Sequence, residues 1–489
     1  MAAPEGSATA AEAVSVGGLA ESFAATQERV EADVRYLAAD ELAGRATGSP
    51  GIELAAQYLE ARFRESGLRP LPGSTGYRHP VPLELTEPPR ELSIKIGGQE
   101  VGRDRALLLH AGAAQGFTRL VYLEHGTADE FAEAGPLDGA IVVTNVGTPE
   151  TRGPQEGFGA VEAKRGLAAA AGARALVELY RSPLAKWSQV AAALGGTGVR
   201  IAEPPSGGDL PVIWVDDADG ALLEAAREAA GTAARLTVVP TPVQPLPAAN
   251  LVGYLPGTDP AMADEYILVG AHYDHVGTDG SRGGADSIFN GARDNALGVA
   301  ALLTAARELA AAPARRPVFF AAWTAEERGL LGSRYFAEHP PLPLREVVFN
   351  LNFDGAGYTD TSFVVVNGYG RSTAQDAIDG AVASSGTQVR PDPVPDFGLF
   401  RASDNWNFAR AGVPAINLAP GFAGFTPELM RYYHQPPDEA ASLDFAYVAR
   451  YARAGAAAAR ALANLSEAAR FAEGDELKSV SDALYGDGD

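Results

Sequence analysis

Ile267-Leu268-Val269-Gly270-Ala271 runs straight into His272-Tyr273-Asp274-His275, an apolar stretch that ends on two histidines and an acid. A short apolar run bounded by polar residues reads as a strand covered on both faces. Its polar end then marks the strand's carboxyl edge, where open α/β sheets build their sites. The same texture repeats on either side. Strand-like segments at 250–254, 266–271, 317–323, 347–353, 362–367 and 413–418 alternate with helix-like segments at 295–310, 330–338, 374–384 and 443–465. Such alternation predicts an α/β domain with a mixed, largely parallel central sheet flanked by helices.

Further out the pattern changes. Apolar positions recur at helical spacing over 28–42 and 52–66, on either side of the turn cluster Gly44-Arg45-Ala46-Thr47-Gly48-Ser49-Pro50-Gly51. From about residue 90 there are short strand-like runs (92–96, 120–123, 140–143, 175–179, 210–215) and Ala-rich helical patches at 160–171 and 220–230, which predict an inserted β-rich α+β domain. Prolines at 240, 242, 245 and 247 favour an extended connector back to the first domain. The expected division is a loose tail at 1–27, a main domain at 28–90 and 244–465, an insertion at 91–243, and a solvated acidic tail at 466–489. No repeat of 20–50 residues argues for a solenoid or propeller.

Composition narrows the chemistry. The 489 residues are 46% hydrophobic and 21% charged, the proportions of a soluble globular protein. A formal charge of -23 argues against nucleic acid or anionic membrane as a partner. With no cysteine, any metal must sit on His, Asp and Glu. No apolar run approaches the ~20 residues of a transmembrane helix, and residues 1–25 lack the continuous apolar core of an intact signal peptide.

Three strand-like segments lead into acids at one expected edge: His272-Tyr273-Asp274, Glu326-Glu327 after Trp323, and Asp354 after Phe353, with Asp294-Asn295 opening the helix between. Singly, each has an ordinary reading: a first-turn Glu pair favoured by the helix dipole, an N-cap Asp, a structural His. Asp354 is the exception, because it ends a run apolar enough to be buried, where an unpaired carboxylate is costly. No cluster of Lys or Arg matches these acids in the sequence. One divalent cation or two would resolve the charge, and imidazole and carboxylate donors suit Zn, Mn or Co.

The ordered set resembles the M28 family of co-catalytic zinc metallopeptidases: His272-Tyr273-Asp274, Asp294-Asn295, Glu326-Glu327, Asn352-Phe353-Asp354 and Tyr433-His434, with Ala39-Asp40-Glu41-Leu42-Ala43-Gly44-Arg45 near the start. The resemblance implies a zinc exopeptidase-like fold, a peptide substrate and two Zn2+, with Mn2+ or Co2+ as substitutes. It implies that Asp294 bridges the ions, that His272 and Asp354 complete one site, and that Glu327 and His434 complete the other. Glu326 is then the general base, Asp274 the acceptor of the free His272 ring N–H, and Tyr433 either a donor to the developing oxyanion or a packed aromatic beside Tyr432. His275 is expected in a supporting or surface position, and His79, His110, His125 and His339 outside the site. Ser403-Asp404-Asn405 stands where many relatives have Ser-Asp-His. The inserted domain resembles a protease-associated domain through residues 138–143, 162–164 and 170–177. An aminopeptidase is the leading expectation. A carboxypeptidase or N-acyl amino acid hydrolase, a glutaminyl cyclase, and a non-catalytic receptor-like protein are the alternatives. The family also implies export to the periplasm or medium, while a cysteine-free chain suits the cytoplasm equally.

Overall fold

The computed structural model describes residues 22–149, 151, 154–181, 185–202, 210–280 and 286–486. They form two compact units, residues 82–247 and the remainder on either side. Most of the tail expected at 1–27 lies outside the described residues. Its end does not, because Ser22 caps a helix over Phe23–Leu37 by accepting from the Ala25 N–H. No described helix is long and apolar enough to cross a membrane.

The outer unit is built on a mixed sheet. Four central strands run parallel, in the spatial order Val318–Trp323, Tyr266–His272, Val347–Phe353, Ala415–Pro420. Ala249–Leu255 pairs antiparallel with the first and Phe363–Asn367 antiparallel with the last. Val318–Trp323 and Val347–Phe353 are buried throughout, which is why they read as unbroken apolar runs rather than alternating ones. Alternate residues nevertheless face opposite layers. Ile267, Val269, Val318 and Phe320 join the core beneath helices Phe23–Leu37, Pro50–Glu65, Leu297–Ala311 and Phe445–Ala463. Leu268, Phe319, Ala321 and Trp323 pack with Phe336 and Phe408 on the other face.

The inner unit carries its own sheet, in which Ala114–Tyr122, Ile141–Asn145, Ala175–Tyr180 and Val212–Asp216 are parallel neighbours. It begins at Pro82 rather than near 91, because Leu83–Thr86 pairs with Gly198–Ile201 and with Gln244–Leu246. Strands this short leave no periodicity to read. The segment expected as a solvated acidic tail at 466–489 is packed as far as it is described. Phe471 is buried against Phe400, helix Lys478–Tyr485 buries Ser481, and the Tyr485 hydroxyl donates to the Val347 carbonyl. Its acids hold it down, since Asp475 and Glu476 accept from Arg371 and Glu476 also from Arg401. Residues 487–489 lie outside the described residues.

Candidate metal centre

Parallel strands bring their carboxyl ends to one edge, and four segments leaving that edge supply the polar cluster. His272 is the last residue of its strand, and its Nε2 lies 3.2 Å from both Asp294 Oδ1 and Asp354 Oδ1. On the other side of Asp294, Oδ2 is 3.1 Å from His434 Nε2, which is also 3.1 Å from Glu327 Oε2. The Asp294 carboxylate thus stands between two imidazoles that each face a further acid. Two sets of atoms lie close enough to hold an ion, one on His275, Asp294, Glu327 and His434, the other on His272, Glu326 and Asp354, each within 4.8 Å of one another.

Local structure explains how the sequence delivers these groups. The Asp-Asn pair divides two tasks: Asn295 Oδ1 accepts the Gly298 N–H at the helix start while its Nδ2 donates to the Phe353 carbonyl. That frees the Asp294 carboxylate from capping and ties it to the strand end that precedes Asp354. The Asp438 carboxylate accepts the Arg293 N–H at 2.9 Å and the Asp294 N–H at 3.3 Å, so the segment carrying His434 also pins the Asp294 turn. Glu326 and Glu327 precede the helix Leu331–Glu338 on a turn with Ala325 and Leu330 at positive φ, rather than forming a solvated first turn.

Asp274 differs from the expected arrangement. His272 Nδ1 faces the Asp274 main-chain carbonyl at 3.2 Å, with the carboxylate further off at 3.8 Å. The carboxylate accepts instead from the Glu326 and Glu327 N–H groups at 3.1 and 3.4 Å and from Thr47 at 3.2 Å. Asp274 therefore sets both the His272 ring and the Glu326-Glu327 turn, by different atoms. His275 is not a surface residue. It is 1% exposed, and its Nδ1 lies 2.7 Å from Glu327 Oε1. Tyr433 lines the pocket with its ring stacked 4.2 Å from that of His434. His79 packs near Phe336, and His110 pairs with Glu162.

The electrostatics follow from burial and proximity. Burial pushes the Glu326 carboxyl well up, helped by the charges of Asp354, Asp404 and Glu327 and opposed by His272. Asp294 goes the other way: burial raises it, but hydrogen bonds from His272 and His434 hold it well below the usual carboxylate range. His434 is raised to about 10, because its bonds to Asp294 and Glu327 outweigh the effect of burial. Among the described residues that line this pocket, none is Lys or Arg. The buried guanidinium of Arg45 bonds to the Tyr273, Leu37, Asn290 and Gly291 carbonyls, binding the His272 and Asp294 loops together. The donor set is therefore imidazole and carboxylate around a shared Asp, with no Lys or Arg bonded to its acids among the described residues, and it fits divalent ions.

Sequence reasoning passed over Ser403, Asp438 and Arg45 as site residues. Ser403 Oγ donates to Asp354 Oδ2 and accepts from Asn352 Nδ2 at 2.9 Å. The departure at Ser403-Asp404-Asn405 leaves that contact intact, with Asn405 donating to the Phe400 carbonyl at 2.9 Å. Only the apolar run before Asp354, which required something to satisfy its carboxylate, hinted at such a donor. The pocket around the cluster continues into an apolar part formed by Ala356, Leu399, Ala419, Phe422, Phe425 and Leu429.

Residues 250–459 match the family model described as Peptidase family M28. Among curated proteins, the chain is 31% identical over 179 residues to Aminopeptidase YwaD of Bacillus subtilis (strain 168), covering 36% of each. It is 28% identical over 275 residues to the "Probable lipoprotein aminopeptidase LpqL" of Mycobacterium tuberculosis, covering 51% of each. The match therefore spans about a third to a half of these relatives' length. Among solved structures, the aminopeptidase from Aneurinibacillus sp. strain AM-1 aligns with a TM-score of 0.55 at 21% identity, over 91% of this chain and 95% of that one, a likeness of fold.

Proposed function

We propose that this chain, whose residues 250–459 match the model of peptidase family M28, is a two-zinc exopeptidase that removes residues from the amino terminus of peptides. The observation that carries this reading is the shared Asp294, with His272 and Asp354 on one side and His434 and Glu327 on the other. These five residues would hold the ions, with Mn2+ or Co2+ as substitutes. When bound, two such ions lower the pKa of water and stabilise charge developing on a substrate oxygen.

The protein's own groups would do the rest. Glu326 is free of the His434 side of the cluster and sits over the His272 side, where a carboxylate can take a proton from water and deliver it to the leaving amine. Asp274 holds the Glu326 backbone in place, and Tyr433 offers a phenolic O–H at the pocket wall to the developing oxyanion. The choice of terminus rests on charge. The described residues around the metal-binding cluster are acidic and suit a free ammonium group at the end of the substrate. The apolar part suits a medium-sized aliphatic or aromatic first side chain. The inserted unit, 82–247, would be a protease-associated-like domain, on the resemblance of residues 138–143, 162–164 and 170–177. Export is favoured by the resemblance and by the lipoprotein in the name of the mycobacterial relative.

A panel of free, N-acetylated and C-amidated leucyl peptides tests the reading, before and after chelation and zinc add-back. Free and C-amidated peptides should be cleaved, acetylated ones spared, and activity should vanish and return with the metal. Cleavage of acetylated peptides alone, or indifference to chelation, would overturn it.

A further inference from the structure

Two solvent-exposed phenylalanine rings touch each other at the edge of this pocket. Phe397 is 67% exposed and Phe425 38%, with ring centroids 4.9 Å apart and planes at 48°. Phe425 in turn meets Phe422, 6% exposed, at 6.1 Å and 66°. Phe422 and Phe425 line the pocket, so a row of three rings leads from its interior to the solvent. A single exposed Phe is ordinary, but a contiguous row continuing out of a binding pocket is the texture of a recognition surface.

The row is held by local hydrogen bonding. Asp392 Oδ1 accepts the Val394 N–H at 2.8 Å, and the Phe397 N–H donates to the Val394 carbonyl at 2.9 Å. Gly398 then takes φ +69, a conformation that favours glycine, and the chain reverses so that Leu399 lines the pocket while Phe397 stays outside it. Across from this turn, Thr426 caps the short helix Pro427–Met430, which follows Phe425 and carries Leu429 into the pocket wall. Both rings therefore stand on constrained turns.

Chain direction says what they would meet. If the first residue of a peptide fills the apolar part of the pocket with its carbonyl at the metal-binding cluster, the chain beyond the scissile bond must leave through the mouth. There the second side chain passes the outer end of the row. We propose that Phe397 and Phe425 form a subsite for an apolar side chain at the second position, so that the preferred substrates are peptides apolar at both of their first two residues. This rests on the aminopeptidase reading.

The test compares leucyl-leucine amide, leucyl-glycine amide, leucinamide and alaninamide on the zinc-loaded full chain, in the wild type, F397S and F397W. The wild type should favour leucyl-leucine amide over leucyl-glycine amide by about tenfold in kcat/KM, mostly through KM, the effect of partly burying one aliphatic side chain. F397S should bring that ratio to within about twofold, F397W should restore it, and the leucinamide to alaninamide ratio should follow neither change. A wild type indifferent to the second residue overturns the proposal, as does an F397S ratio equal to the wild type's. A shift of the leucinamide to alaninamide ratio with F397S would assign the ring to the first residue instead and also overturn it. Failure to cleave any of the four amides would sink the aminopeptidase reading itself, which active but unselective enzyme would not.

Discussion

Both units bury carboxylates within or just beyond parallel strands, and they settle the charge in opposite ways. In the inner unit Glu178 is fully buried, with Lys164 Nζ 2.8 Å from one oxygen and Trp214 Nε1 donating to the other at 2.8 Å. Lys164 is completed by the Asn145 and Gly147 carbonyls. In the outer unit the partners of Asp294, Glu327 and Asp354 among the described residues are histidines and the Ser403 hydroxyl. A buried acid matched by a cation on the same chain is finished structure. One left without such a match has room for an ion from solution. Asp404 follows a third course: it is buried, Ser333 donates to its Oδ1, its Oδ2 has no partner, and burial raises it to about 7, so a proton does what Lys164 does for Glu178.

The contrast breaks most severely if Lys164 is removed. K164M strands Glu178 and should cost about 3–5 kcal/mol of stability in urea unfolding, while K164M/E178L recovers most of it. Bound zinc, measured by elemental analysis of folded protein, should be unchanged in both. In the outer unit E326Q should retain metal yet lose at least ~10²-fold in turnover on a leucyl substrate. Turnover near wild type would remove Glu326 as the base. H275N probes the buried ring that holds Glu327 Oε1, and should weaken zinc affinity ~10–100-fold in a chelator competition. An unchanged affinity would make His275 packing alone.

The smallest effect sharpens the third case. Asp404, near 3.8 when unfolded and about 7 when folded, keeps a proton in the native state that the unfolded chain has lost. Its contribution to stability is therefore greatest at low pH and declines as pH rises from about 4 to 7. Urea titrations of metal-free D404N should show a flatter decline across that window than the wild type, by up to one proton in slope.

The main domain was legible because each central strand is a fully buried run of six or seven residues, long enough to be read without its partners. Its site was legible because parallel strands must end at one edge, so acids following several of them converge. What stayed hidden depends on contacts between distant segments. Nothing in His272-Tyr273-Asp274-His275 shows that His275 turns inward to Glu327, or that the His272 ring meets a main-chain oxygen of Asp274. Arg45 reads as one more turn residue until its guanidinium is seen gathering carbonyls from two loops. The acids of 475 and 476 suggest solvent, yet two arginines from the fold claim them.

The Asp438 bridge has a consequence for how the molecule comes into being. The backbone of Arg293 and Asp294 is tethered by a residue encoded far downstream, four positions after His434 itself. A chain still emerging from the ribosome has the first acids of the cluster, but neither the last imidazole nor the clasp that orients the central carboxylate. Whatever hydrolytic power the pocket has is thus withheld until residue 438 has been made and has closed on the Asp294 turn.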